Sequence, residues 1–168
     1  LFVNKRFPFP ELAQVEHGHI GLAQVRPFLG EDTFARYFKF AFVRNPFDRF
    51  VSYCAFMTRH DDAFNRAPQH VMRHILFEAR PTKHVLFQPQ HSMLVDEDGK
   101  LLSDYVGRVE EMQASYDSIC ERIGIPSRRL DQVNPSRRGD YRHYYTPDLV
   151  EGVAEFYRRD LELFGYGF

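Results

Sequence analysis

The sequence predicts an α/β fold, and three observations carry that expectation. Residues 37–43, Tyr-Phe-Lys-Phe-Ala-Phe-Val, are almost wholly apolar and β-prone, as in a central strand of a parallel sheet covered on both faces. Asn45 and Pro46 follow at once, a good helix cap and then the residue favoured at the first helical position. Beyond this junction, strand-like and helix-like stretches alternate along the chain.

The elements follow in order. Residues 1–16 are irregular at first, with Phe7-Pro8-Phe9-Pro10, and then allow one helical turn. The first clear helix spans 46–57, where Phe47, Phe50, Val51 and Cys54 fall on one face at helical spacing. A second runs over 68–78 and ends before Pro81. Met93-Leu94-Val95, Asp96-Glu97-Asp98-Gly99 and Leu101-Leu102 predict a hairpin or tight loop. Residues 105–109 suit a short strand. A helix over 112–123 stops at Gly124, with Pro126 beyond. The last helix is capped by Thr146, starts at Pro147 and carries the stripe Leu149, Val153, Phe156, Phe164 before Gly165 stops it. Residues 1–168 are expected to form one domain.

Composition narrows the function classes. The chain has 168 residues, 43% hydrophobic and 27% charged, with a formal net charge of −1, which suits a globular protein. The neutral balance argues against bulk electrostatic binding of nucleic acid. No stretch approaches the roughly 18 apolar residues of a membrane helix. Cys54 and Cys120 lie far apart without metal-type spacing, so a disulfide scaffold is excluded. Eighteen of the 22 basic residues are Arg, the side chain that captures phosphate or carboxylate bidentately. Genome base composition is the alternative source of that excess.

The chemistry concentrates at the strand-to-helix junction. Arg44 stands at the carboxyl end of the apolar strand, where open α/β sheets bind ligands. The next helix offers free N–H groups and a positive dipole end, and Ser52 lies two turns into it. Spacing leaves two readings open. Either Arg44 and Ser52 converge on a phosphate, or Arg44 pairs with an acid and Ser52 merely fills space.

The stretch Arg44-Asn45-Pro46-Phe47-Asp48-Arg49-Phe50-Val51-Ser52-Tyr53 resembles the 3′-phosphate-binding motif of sulfotransferases that use the sulfate donor PAPS. Arg44 and Ser52 match both the residues and the spacing, and Pro46 with Arg49 gives the form seen in carbohydrate sulfotransferases. His17-Gly18-His19-Ile20 resembles the segment that precedes this motif in the heparan-sulfate 2-O-sulfotransferase branch. There the second His is the catalytic base, which implies His19 here, with His17 the alternative. Sulfuryl transfer to a sugar hydroxyl needs a base working near neutral pH, and His suits that task.

The resemblance continues to the carboxyl end. Asn134-Pro135-Ser136-Arg137-Arg138-Gly139 is similar to the family's Ser- and basic-rich loop over the nucleotide. It implies donor contacts from Ser136, Arg137 and Arg138. The ending Phe164-Gly165-Tyr166 is similar to the family's tail. Gly107-Arg108-Val109-Glu110 matches a further segment, where a structural ion pair of Arg108 with Glu110 is expected.

The family also implies a P-loop-like, three-layer fold, with an amino-terminal strand and loop holding the 5′-phosphosulfate. Nothing in this chain matches that loop, so the expectation is a domain incomplete at its amino end. The implied co-substrate is PAPS, with PAP as product, a hydroxyl acceptor of carbohydrate type and no metal. Two alternatives stand beside this. One is a degenerate, non-catalytic nucleotide- or glycan-binding domain. The other is a metal-dependent enzyme, since His70 and His74 sit at i and i+4, although Val71 replaces the Glu of a zinc-protease motif. A bacterial cytoplasmic home is expected. Animal relatives are Golgi membrane proteins, so the Golgi lumen is the eukaryotic alternative.

Overall fold

A computed structural model describes residues 19–131 and 139–168. It opens with two short helices, α1 (Leu22–Leu29) and α2 (Glu31–Arg36), which lead into strand β1 (Phe40–Val43). Helix α3 (Pro46–Met57) follows within three residues. A single helical turn, α4 (Ala63–Arg66), precedes α5 (Pro68–Arg73), which continues as a π-helical turn over His74–Ala79. After a 3-10 turn (Gln90–Met93) come strand β2 (Tyr105–Arg108) and helix α6 (Met112–Ile123). A 3-10 turn (Tyr141–Tyr144) then leads to α7 (Pro147–Phe156) and α8 (Arg158–Phe164).

The two strands pair in parallel, with Phe40 opposite Tyr105 and Val43 opposite Arg108. This bears out a mixed α/β arrangement with a small parallel sheet. Alternation along the strands sends Ala41, Val43 and Val106 to one side, where they pack with Leu94, Phe164 and Tyr166. The other side faces α6. Gly107 is needed there, because a Cβ would stand 2.7 Å from Ser115 Cβ and 3.0 Å from the Phe42 ring. The larger core surrounds α3, whose Phe47, Phe50, Val51 and Cys54 are buried against Phe64, Met72, Phe87, Leu149 and Tyr157.

Four expectations are corrected. The ladder starts at Phe40 rather than Tyr37, which lies at the end of α2 with 63% exposed. Lys39 fixes that start: its Nζ donates to Tyr37 O, and its N–H donates to Asp104 Oδ2 at 2.8 Å. The strand is not covered along its whole length either, since Phe40 is 47% exposed. The carboxyl helix is not continuous. It breaks at Tyr157, whose buried ring inserts into the core and whose hydroxyl donates to Phe87 O at 2.7 Å. Finally, Thr146 makes no side-chain cap on α7. Its hydroxyl donates to Asp148 Oδ1 and accepts from Arg73 Nη2, so a guanidinium fork from α5 clamps the start of α7 instead.

Other expectations hold. Asn45 Oδ1 accepts from Phe47 N at 2.9 Å, so Asn45 caps α3 with Pro46 at its first turn. Gly124 ends α6 in the left-handed conformation, at φ 72°. The loop at 93–102 is closed by an antiparallel bridge between Val95 and Leu101. Cys54 and Cys120 are both buried and form no disulfide. No described helix is long and apolar enough to cross a membrane.

Candidate functional site

The β1–α3 junction is held from three directions. From the sequence-distant loop, Gln90 clasps the backbone of Arg44, accepting from its N–H and donating to its carbonyl, both at 2.9 Å. This amide stands in for a neighbouring strand. Gln90 is itself seated by Asp160, which is fully buried. Its two oxygens accept from the N–H groups of Gln90 and His91 at 2.7 and 2.8 Å, and Oδ1 also lies 2.7 Å from His91 Nδ1. From the end of β2, Glu110 Oε1 accepts the Asn45 N–H at 2.6 Å. From the tail, Tyr166 donates its hydroxyl to Glu110 Oε2, and the Gly167 carbonyl accepts from Asn45 Nδ2.

The expected ion pair of Arg108 with Glu110 is therefore not formed. Glu110 is committed to the junction. Arg108 Nη2 donates to the carbonyls of Phe164 and Gly165, with its guanidinium over the Tyr166 ring. Both residues answer orphaned groups at helix ends, Glu110 at the start of α3 and Arg108 at the end of α8.

Arg44 and Ser52 do come together. They line one recess of about 250 Å³, with Arg49, Tyr53, Phe56 and Leu86 as its remaining walls. Arg44 also pairs with an acid, as the second reading of its spacing anticipated. Its Nε donates to Asp48 Oδ2 at 2.6 Å, one turn along α3. The pair is about three-quarters buried, which leaves the guanidinium positioned and still reachable from the recess. Burial raises the pKa of Tyr53 in the same wall, so its hydroxyl keeps its proton.

His19 lies in a neighbouring recess of about 480 Å³, walled by Ala41, Phe42 and Val43 of β1 and by the 85–94 loop. The two recesses share Arg49 and Leu86. His17, Ser136, Arg137 and Arg138 lie outside the described residues. His70 and His74 are both exposed, and His74 Nδ1 lies 2.8 Å from Glu78 Oε2. Among the described residues no group of three or more His, Cys, Asp or Glu is placed to hold a metal ion.

Nothing local in the sequence singled out Gln90 or Asp160. Gln90 and Asp160 meet across 70 residues. Arg49 is marked by the motif resemblance without a role, and its Nη1 is buried. What the site can do chemically follows from its parts. A cation and a hydroxyl in one recess suit an oxyanion. An imidazole in the adjoining recess suits proton removal from a neutral nucleophile.

The sequence model described as "Sulfotransferase family" matches residues 9–167. An uncharacterized protein of Archaeoglobus fulgidus is 25% identical over 119 residues, covering 70% of this chain and 93% of that protein. No solved structure gives a significant match.

Proposed function

The chain belongs to the sulfotransferase family and is a sulfotransferase enzyme, and we propose that it moves a sulfuryl group from PAPS to a hydroxyl of a carbohydrate-type acceptor. The observation that carries this reading is the adjacency of the two recesses: Arg44 and Ser52 in one, His19 in the other, with Arg49 and Leu86 between them. In this proposal the 3′-phosphate of the donor sits on Arg44 and Ser52. Ser136, Arg137 and Arg138 add cover from the 132–138 segment, as the family resemblance implies.

The reaction balances without a further reactant. His19 takes the proton of the acceptor hydroxyl as its oxygen forms a bond to sulfur. The bond from sulfur to the 5′-phosphate oxygen breaks, its electron pair stays on that oxygen, and PAP departs. Positioning of donor and acceptor, and cations facing the departing phosphate, supply most of the rate. The match over residues 9–167 supports reading the chain as one sulfotransferase-like domain.

The test is a pair of variants. His19→Ala is expected to bind PAP like the wild type and to lose about a hundredfold or more in turnover. Full activity in His19→Ala moves the base to His17 or to a carboxylate. Absence of PAP binding by the full-length wild type overturns the donor assignment and leaves the degenerate binding domain as the better reading.

A further inference from the structure

Arg49 carries a charge that the fold answers only in part, through Tyr157 and the more distant Asp160. It stands on α3 five positions after Arg44 and lines both recesses. Its Nη1 is shut off from solvent and has no hydrogen-bond partner. Its guanidinium lies 6.0 Å from the centre of the Tyr157 ring. Burial presses its pKa down, against opposing pulls from Tyr157 and Asp160. Asp160 is a poor counter-ion for it, because its oxygens already serve Gln90 and His91. Arg44 and Arg73, by contrast, each hold a carboxylate directly.

A guanidinium nitrogen shut off from solvent with no acceptor is costly, and arginine does not escape that cost by losing its proton. The fold keeps this cation in the wall common to two cavities, one lined by Arg44 and Ser52, the other by His19. An anionic ligand in either cavity would offer the orphaned nitrogen an acceptor.

We propose that Arg49 is a donor-binding residue whose guanidinium takes a tetrahedral oxyanion, phosphate or sulfuryl, of the nucleotide sulfate donor at the junction of the two recesses. This rests on the sulfuryl-transfer reading above. A cation at that junction is stronger in the transition state than before it, because negative charge grows on the departing phosphate as its bond to sulfur breaks.

The experiment is calorimetric titration of the full-length protein with PAP, beside thermal melting. Arg49→Met keeps the apolar stem and removes the charge. Its melting temperature is expected to equal or exceed that of the wild type, while PAP affinity falls about thirtyfold. Unchanged PAP affinity in folded Arg49→Met overturns the proposal. If that variant does not fold, Arg49→Lys replaces it. An ammonium cannot present paired donors, so about a tenfold loss is expected, and unchanged affinity again overturns the proposal.

Adenosine 5′-monophosphate separates the two ends of the donor. A loss confined to PAP supports the proposal with the oxyanion at the 3′-phosphate, and an equal loss for both nucleotides supports it with the oxyanion at the 5′ end. Failure of the wild type to bind PAP at all sinks the reading of the activity, yet Arg49 remains testable with inorganic sulfate. Sulfate should then raise the melting temperature of the wild type above sodium chloride at equal ionic strength, and should not do so for Arg49→Met. Equal rises in both proteins overturn the inference.

Discussion

Asp160 is the residue on which most of the site hangs. It seats the loop whose Gln90 clasps Arg44. Asp160→Ala strands two partly buried backbone N–H groups and leaves a void where a fully buried carboxylate stood, and is expected to cost about 3 kcal/mol, measured by urea denaturation. Gln90→Ala is milder in stability, about 1 kcal/mol, and is expected to weaken PAP binding by loosening Arg44. A Gln90→Ala protein with unchanged PAP affinity separates the clasp from donor binding. Arg44 and Ser52 were legible in the sequence because their place in one recess depends on local geometry alone, a strand end and two turns of the next helix. Gln90 and Asp160 were not, because their pairing depends on tertiary packing that brings together residues 70 positions apart.

At the scale of elements, glycine and the helix ends decide what is tolerated. Gly107→Ala pushes a Cβ against Ser115 and Phe42 and is expected to cost about 2 kcal/mol by overpacking. Its m-value should stay near that of the wild type. The junction of α5 and α7 gives a pH dependence. Hydrogen bonds from Arg73 and Thr146 hold the Asp148 carboxyl well below its ordinary value of 3.8. A depressed carboxyl pKa contributes stability that is present above about pH 4 and is lost as pH falls further. Asp148→Asn should therefore lower the melting temperature slightly at pH 7, and less at pH 3. An equal decrease at both pH values contradicts this origin. The elements themselves were largely legible, since helix starts and stops are written in Asn45-Pro46, Gly124 and Pro147. The break at Tyr157 was not. No Pro or Gly marks it, and it arises because an aromatic side chain is anchored in the distant core at Phe87.

For the whole molecule, the unifying feature is how the tail returns to the junction. Tyr166 reaches Glu110, the Gly167 carbonyl meets Asn45, and the Phe168 ring packs edge-on to Phe47 and Tyr145. The carboxyl tail and the end of β2 therefore fix the same turn. Tyr166→Phe removes one hydroxyl bond and is expected to lower stability by about 1 kcal/mol. The family and its sulfuryl chemistry were legible in the 44–53 motif and the FGY ending. The adjacency of the two recesses was not, because it depends on the 85–94 loop folding over β1.

The measurement that bears most directly on this account is PAP titration of the full-length wild type and of Arg44→Ala. Binding by the wild type and a loss of about a hundredfold in Arg44→Ala, with both proteins melting cooperatively, is the expected result. Equal PAP affinity in the two folded proteins, or none in the wild type, contradicts the placement of the donor phosphate on Arg44 and Ser52.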